Sequence, residues 1–393
     1  MVTELIQREI IEGLTKRVKE QTLKTLKSES STYVTNYRFP ILKAPYCSDA
    51  TSLSRLISYD QVCGCIYIDI SDKNSVNLST NYHPNDKSKT NIKRMKEDRF
   101  EKFIKPRLRN LINKGFKEKE KIELFQAAFD HMISENAKRF QPIIDDVIRK
   151  NRERYGSNDD HEIIVARLIN NEIYRKSDWK DKSLKDIKEI HQGINSFLKE
   201  FDHGTRPYEN RLYVSVMKIA IIFDDIERMC NLYNNEILCK AIANDKIKRA
   251  ECRGSVGIHC EQRMFEHISN RYGNGHISKE VFEKLKEAVE NKNFTVSKFC
   301  CWYCYLVFRK LSNVLGGNED SLNKLGHSCC FFPGWKSPSF ENDEIFKQIK
   351  YEIETEISKE VNFTGKFENF IKSLIISNEY MIIENSEVAN FIN

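Results

Sequence analysis

Two short segments, far apart in the chain, constrain its fold more than any other feature. They are His259-Cys260-Glu261 and Cys301-Trp302-Tyr303-Cys304, which together form the pattern His-x-Glu…Cys-x-x-Cys. The spacing of Cys301 and Cys304 places both sulfurs on one face at the start of a helix. There, free N–H groups and the positive end of the helix dipole favour thiolates. The second segment therefore predicts a zinc half-site.

His259 and Glu261 supply what this half-site lacks. His259 is expected to be the third ligand, which leaves a fourth tetrahedral position for water, as a catalytic zinc requires. In a regular helix Glu261 would point about 200° away from His259, so the pair must straddle a helix entrance. From there Glu261 reaches the water instead of the metal, which suits a general acid/base that passes a proton to a leaving amine.

The residues around both segments predict the order strand, metal ligands, helix. Phe294-Thr295-Val296 has the pattern of a strand that leads to Cys301, and a helix is expected from Cys304 to about Val314. A single Cys-x-x-Cys is also typical of structural zinc sites. The chain has no second one, although Cys300, Cys329 or Cys330 could supply a fourth ligand.

Composition limits the class of protein but names no activity. The chain has 393 residues, a formal net charge of +6 and 12 cysteines. This length predicts two or three domains, or one domain with a large elaboration. The cysteines are clustered, and the chain start lacks the pattern of a secretory signal, so we expect reduced thiols in the cytoplasm. No apolar stretch is long enough to span a bilayer, so we expect no membrane association.

Helical periodicity covers most of the chain, which contains only 15 glycines and 8 prolines. The clearest exception is a strand, turn and strand within Gln61–Asn81. Helix breaks are expected near Gly115, Gly156 and Gly193. We divide the chain into an N-terminal helical segment at 1–60, a β-hairpin at 61–82, a helical region or insertion at 83–243, a mixed catalytic core at 244–340 and a C-terminal helical tail at 341–393.

The metal-site segments resemble the zinc deaminase superfamily, specifically its Orientia-prototyped (OTT-type) branch. That branch has His-Ala-Glu, then Ser-Lys-x-Cys-Cys-x-x-Cys, then Gly-x-His…Trp-x-x-Pro. The corresponding segments here are His259-Cys260-Glu261, Ser297-Lys298-Phe299-Cys300-Cys301-Trp302-Tyr303-Cys304, Gly326-His327 and Trp335-Lys336-Ser337-Pro338. The resemblance covers about residues 251–338. Two departures are Cys260 in place of Ala and the missing residue between Gly326 and His327, which puts the role of His327 in doubt.

The resemblance implies a cytidine-deaminase-like fold with a three-layer α/β/α core, and it implies Zn²⁺ held by His259, Cys301 and Cys304. Glu261 would be the proton shuttle in hydrolytic deamination of a cytosine or adenine base, in a nucleic acid, nucleotide or nucleoside. The alternative is a non-catalytic, zinc-stabilised, deaminase-like module whose helices bind a protein partner. An intact Glu261 favours the enzyme, because a purely structural zinc gains nothing from a carboxylate at this spacing.

The candidate substrate-binding residues could each have a role in binding the base or a purely structural role. Trp302 and Tyr303 could stack on a base or pack in the core, and His327 could face the pocket or cap the last strand. In the resembled fold an Asn near a strand end contacts the base, and Asn81 matches if the hairpin belongs to the core and the helices after it are an insertion. Otherwise residues 247–252 supply the strand directly, and the hairpin belongs to a separate unit.

Basic residues outnumber acidic ones between Lys87 and Lys121. Such a run could attract a polyanion through its field and through phosphate contacts. A solvated helical face explains the same pattern, because the nearby aromatic residues also suit a helix core.

Overall fold

The structure is a computed structural model. It describes residues 48–59, 63–72, 75–81, 98–133, 142, 149, 182–200, 207–250, 252, 258–298, 300–315, 322, 325, 340 and 343–361. The chain divides into two compact units, the first formed by Met1–Lys96 with Ile247–Asn393 and the second by Glu97–Lys246. The predicted helix near the N-terminus, most of the tail and the expected break at Gly156 lie outside the described residues.

Helices make up most of the described residues. In chain order they are α1 (Asp49–Ile57), α2 (Lys105–Asn113), α3 (Glu118–Ala128), α4 (Leu184–Glu200), α5 (Pro207–Cys230), α6 (Glu236–Ala243), α7 (Cys260–Tyr272), α8 (Lys279–Glu290), α9 (Trp302–Val314) and α10 (Glu344–Val361). Short π-helical turns lie at Phe100–Ile104 and Phe129–Ile133, before α2 and after α3, and a 3₁₀ turn lies at Leu232–Asn234. Helices α2 to α6 belong to the second unit.

Four strands among the described residues form a mixed sheet in the first unit. They are β1 (Gly64–Asp69), β2 (Ser75–Thr80), β3 (Ile247–Arg249) and β4 (Phe294–Val296). The strand order is β3-β2-β1-β4, with β1 antiparallel to both β2 and β4, and β3 parallel to β2. The hairpin and the strand at residue 247 therefore lie in one sheet. A parallel pair needs a long connection, and here the chain passes through the whole second unit between β2 and β3.

Helices cover both faces of this sheet. Every residue of β1 and of β4 is buried, which is the property of strands packed on two sides. Helix α7 packs on β1 and β2, α8 packs on β4, and α1 packs on β1 and β4. Gly64 permits the closest approach of α1, since a Cβ there would lie only 2.9 Å from the Cβ of Ser58. The first unit is thus an α/β layer structure.

A chain of phenylalanine rings joins the helices to the sheet. Phe294 in β4 meets Phe308 of α9 at a centroid distance of 6.1 Å, and Phe308 meets Phe265 of α7 at 5.8 Å. Phe340 lies 5.1 Å from Phe265 and 5.6 Å from Phe346 of α10. Each of these edge-on or tilted pairs contributes about 0.5–1.5 kcal/mol beyond burial. The rings therefore fix α7 and α9 against the same sheet.

The end of β1 holds the C-terminal end of α7. The buried carboxylate of Asp69 accepts a 2.6 Å hydrogen bond from the Tyr272 hydroxyl and forms a 3.0 Å ion pair with Arg271. It also accepts the backbone N–H groups of Ser71 and Asp72 in the hairpin turn. One buried acid thus organises the turn and anchors the helix that follows His259.

In the second unit the expected break near Gly193 is wrong, because α4 runs through that position. Ile187, His191 and Ile194 recur at helical spacing and are buried, so one continuous face packs on the unit's core. The His191 ring stacks on Phe223 of α5 at 5.4 Å and lies 2.9 Å from Asp224. These contacts outweigh the roughly 1 kcal/mol that an internal glycine costs a helix. By contrast, α2 ends before Gly115, which has a positive φ of 73°.

Among the helices of the described part of the chain, none combines the length and apolar character needed to cross a membrane.

Candidate metal centre

His259 and Glu261 lie at the entrance of α7. His259 is the N-cap residue and has extended backbone angles, φ −75° and ψ 156°, while Glu261 is in the first turn. The change from extended to helical backbone turns the two side chains toward one another, which a regular helix would not do. Glu261 is only 2% exposed. The pair thus straddles the helix start.

Cys301 and Cys304 lie in the same way at the start of α9. Cys301 is the N-cap residue, and its Sγ accepts the backbone N–H of Cys304 at 3.3 Å. Both cysteines are buried. The strand before them, β4, pairs with β1. A sheet strand therefore delivers the sulfurs to the first turn of the helix.

The four side chains meet at one point. The ligand atoms of His259, Glu261, Cys301 and Cys304 all lie within 4.8 Å of one another. The Nδ1 of His259 is 3.6 Å from the Sγ of Cys304 and 3.9 Å from Oε1 of Glu261. Tetrahedral zinc, with bonds of about 2.3 Å to sulfur and 2.0–2.1 Å to nitrogen, requires a sulfur–nitrogen separation of about 3.6 Å. The cluster can hold a metal ion, and its donors fit zinc.

Electrostatics within the cluster favour a charged pair. Burial would raise the pKa of the Cys301 thiol, but a hydrogen bond from Cys304 and the charge of His259 outweigh burial and lower this pKa to about 6. Burial would likewise lower the pKa of His259, but the charge of Cys301 and a hydrogen bond with it raise this pKa to about 9. Both shifts favour the thiolate of Cys301 and the protonated form of His259 when no metal is bound, so a metal cation that binds there displaces the imidazole proton.

The hairpin holds the N-terminal end of α7 as well. The side-chain oxygen of Asn81, just after β2, accepts the backbone N–H of Cys260 at 2.9 Å. Ser79 donates its hydroxyl to the carbonyl of Cys260 at 2.6 Å. The buried guanidinium of Arg263 donates to the carbonyls of Ile258 and Asn81, at 3.1 and 3.4 Å. Asn81 thus lies beside His259 and shares in fixing its backbone.

The other predicted substrate residues are only partly described. Tyr303 is half-buried and packs against the hydrophobic core, and burial raises the pKa of its hydroxyl. Trp302 is the first residue of α9, but its side chain is not among the described parts of the chain. His327 lies outside the described residues, as do Cys329 and Cys330. Cys300 is buried in the same hydrophobic core.

Two thiols next to Glu261 are not predicted by any sequence motif. Cys63 and Cys260 form a second donor group with this carboxylate, again within 4.8 Å. Cys63 and Cys65 are close together in the sequence. Cys63 meets the segment at the start of α7, however, only because β1 packs on α7. Cys260 differs from the Ala of the resembled branch, and that difference alone does not indicate a donor group.

The basic run is described from Arg99 onward, within the second unit. Lys105 lies 2.7 Å from Glu101 and 2.6 Å from Asp245. Arg109 also pairs with Asp245, at 3.0 Å, and donates to the carbonyl of Ile242 at 3.0 Å. These two residues therefore hold α6 against α2. Lys114, Lys117 and Lys119 are exposed.

Comparison with protein families, curated proteins and solved structures finds no match to this chain. Its function has to be inferred from the geometry of the two helix starts and the donors that they bring together.

Proposed function

We propose that this chain is a zinc-dependent hydrolytic deaminase acting on a cytosine or adenine base in a nucleic acid, nucleotide or nucleoside. The observation that carries the proposal is the meeting of His259, Cys301 and Cys304 with the buried carboxylate of Glu261. Three soft donors provide a zinc site with one position left for a reactant, and the fourth group is an acid/base.

The order of elements supports the proposal. A hairpin is followed in the sheet unit by a helix that begins at His259 and Glu261. Then come a strand paired with the first hairpin strand and a helix that begins with Cys301 and Cys304. This is the order that the resemblance to zinc deaminases implies. The deaminase-like three-layer arrangement belongs to the proposal.

The chemistry divides between the ion and the carboxylate. Zinc supplies the Lewis acidity that makes water nucleophilic near neutral pH. Glu261 takes one proton of the attacking water and delivers it to the ring nitrogen. As the new C–OH group becomes a carbonyl, Glu261 passes that hydroxyl proton to the departing amino group, and the C–N bond breaks. The products are the keto base and ammonia.

The distance of Glu261 from the other donors also supports one alternative. A carboxylate within 4.8 Å of three ligand atoms can act as a fourth ligand and close the coordination shell. The chain would then be the zinc-stabilised interaction module, and its helical unit would bind a protein partner. The deaminase would convert a base, whereas the interaction module would leave every base unchanged.

The test is to incubate the purified, zinc-loaded chain with single-stranded DNA, RNA, cytidine and adenosine species, and to measure product masses. Deamination replaces an amine with a carbonyl, so we expect a gain of about one dalton on at least one substrate. The Cys301→Ala, Cys304→Ala double variant is the negative control, because it removes two of three ligands and should lose this zinc. A zinc-loaded chain that converts none of these substrates would favour the interaction module.

A further inference from the structure

Cys63, Cys260 and Glu261 form a compact donor group beside the first cluster, with which it shares Glu261. The two sulfurs and the carboxylate lie within 4.8 Å of one another, and all three residues are buried. Cys260 donates its thiol to Oε2 of Glu261 at 3.1 Å. The Sγ of Cys63 lies 3.3 Å from the hydroxyl of Ser297. Two sulfurs, a carboxylate and a hydroxyl thus surround one small volume.

The two carboxylate oxygens of Glu261 face different neighbours. Oε1 lies 3.9 Å from Nδ1 of His259, at the first metal cluster. Oε2 contacts Cys260 instead. A carboxylate in this position can bridge two cations, as carboxylates do in two-metal sites. The two donor groups share Glu261 but remain separate sites, because each has its own pair of thiols.

The backbone around the second group is held in place. Gly64 donates its N–H to the Ser297 hydroxyl at 2.9 Å, and Ser297 donates its N–H to the Gly64 carbonyl at 2.8 Å. Asn81 binds the carbonyl of Cys63 and the N–H of Cys260, at 3.1 and 2.9 Å. The donors therefore come from two segments, the start of β1 and the start of α7, that are fixed to each other by hydrogen bonds.

We propose that Cys63, Cys260 and Glu261 form a second metal site, for a soft divalent cation such as zinc or cadmium. Thiolates select soft cations over magnesium or calcium, and a carboxylate with two thiolates offsets the charge of a divalent ion in a buried place. Binding replaces two thiol protons with one cation and releases the protons to solvent. The Ser297 hydroxyl, 3.3 Å from the Cys63 sulfur, is a candidate fourth donor.

Occupation of this site has a consequence for catalysis that rests on the proposed function. An ion bound to Oε2 makes the Glu261 carboxylate a weaker base, so we expect the second ion to slow its proton transfers and inhibit deamination. The number of bound ions does not depend on that function and is the primary readout.

The test is to titrate the reduced, metal-free chain with cadmium and to count the ions that survive dialysis. We expect two per wild-type chain and one per chain in the Cys63→Ala, Cys260→Ala variant. The matched control is Cys65→Ala, which removes a buried cysteine of β1, two residues after Cys63 and outside both donor groups, and should keep two ions. An ion count that is the same in the Cys63→Ala, Cys260→Ala variant as in wild type would overturn the second site.

Cadmium-113 NMR of the wild-type chain provides a measurement that needs no variant to fold. Two resonances are expected, since one ion would have imidazole and sulfur ligands and the other carboxylate and sulfur ligands. A spectrum without a resonance from an ion bound by carboxylate and sulfur would overturn the inference. The Cys301→Ala, Cys304→Ala variant separates the two proposals. If it binds no cadmium while wild type binds one ion, the second site fails and the ligands of the proposed deaminase stand. If it still binds the only ion, those ligands are wrong.

Discussion

At the scale of single residues, the position of Glu261 predicts that its carboxylate is needed for proton transfer but not for holding the metal ion. Glu261→Gln keeps the shape of the side chain but cannot take a proton. We expect the ion held by His259, Cys301 and Cys304 to remain bound, while the rate of deamination falls by a factor of about 10² to 10⁴. Metal analysis and single-turnover rates on the same preparation would check both expectations.

Glu266 offers the matched control for that substitution. It is a second buried glutamate on α7, further along the helix, and it is not part of either donor group among the described residues. Glu266→Gln should therefore leave the deamination rate within a few-fold of wild type. A near wild-type rate in Glu261→Gln would remove this residue from the proton transfer.

The sequence could predict which side chains form the first donor group but not those of the second. Cys301 and Cys304 are one helical turn apart, and His259 and Glu261 are two residues apart, so local geometry alone brought each pair to a helix start. Cys63 and Cys260 are far apart in the sequence, and only the packing of β1 on α7 brings them together. No spacing rule contains that information.

At the scale of elements, the uninterrupted α4 predicts that Gly193→Ala stabilises the second unit. Gly193 is helical, and a Cβ added there meets nothing within 4 Å. The unfolded chain loses conformational freedom while the helix gains no clash, so we expect a gain of about 0.4–1 kcal/mol. Urea denaturation followed by far-UV circular dichroism measures this change.

Gly115→Ala is the control for the same substitution at a different backbone angle. A Cβ there also has free space within 4 Å, but the positive φ of 73° disfavours any side chain. We expect a loss of roughly 1–2 kcal/mol, the cost of a left-handed conformation for an L residue. Equal effects of the two substitutions would mean that backbone angle does not decide the outcome.

The anchor of α7 on the hairpin gives a second prediction for elements. Asp69→Ala removes the acceptor of the Tyr272 hydroxyl, the Arg271 guanidinium and two backbone N–H groups. We expect a loss of roughly 1.5–3 kcal/mol in the stability of the first unit, the contribution of hydrogen bonds to a buried charge. Asp72→Ala is the control, since this partly exposed acid also pairs with Arg271 but its loss should have a much smaller effect. Thermal unfolding of both variants compares them.

Helices and strands that depend on a local residue pattern could be predicted from the sequence. The alternating β-branched residues of Gln61–Asn81 indicated the hairpin, and Phe294-Thr295-Val296 is a strand with those bounds. Gly193 does not end its helix, because a glycine weakens a helix only slightly and packing across the unit decides whether the helix continues. The sequence left the hairpin and residues 247–252 as alternatives, but strand pairing between distant segments puts both in one sheet.

At the scale of the whole molecule, the exposed lysines of the second unit test the choice between polymer and small substrates. Lys105 and Arg109 are committed to ion pairs that hold helices together, so the informative residues are Lys114, Lys117 and Lys119. If this surface binds phosphates, reversing these three charges weakens RNA or DNA binding. The slope of log affinity against log salt should fall by about 0.7–0.9 for each phosphate that the variant no longer neutralises.

An equal change in net charge elsewhere in the same unit controls for the overall field. Lys185→Glu, Lys188→Glu and Lys240→Glu alter exposed lysines outside the run and should leave the salt slope unchanged. Activity on free nucleosides should be the same in both triple variants. Unchanged polymer affinity in the Lys114, Lys117 and Lys119 variant would identify the run as a solvated helical face.

Because the second unit is inserted between β2 and β3, the strands of one sheet leave the ribosome at widely separated times. Gly64 and its partner Ser297 are 233 residues apart in the chain. At about 5–20 residues per second, the ribosome needs roughly 10–50 s to bring out the second after the first. During that interval the hairpin has neither β4 nor α7 to cover it, while residues 97–246 are complete and contain the contacts of their own core. We therefore expect the helical unit to fold first on the ribosome, with the apolar hairpin open to chaperones until the last third of the chain emerges.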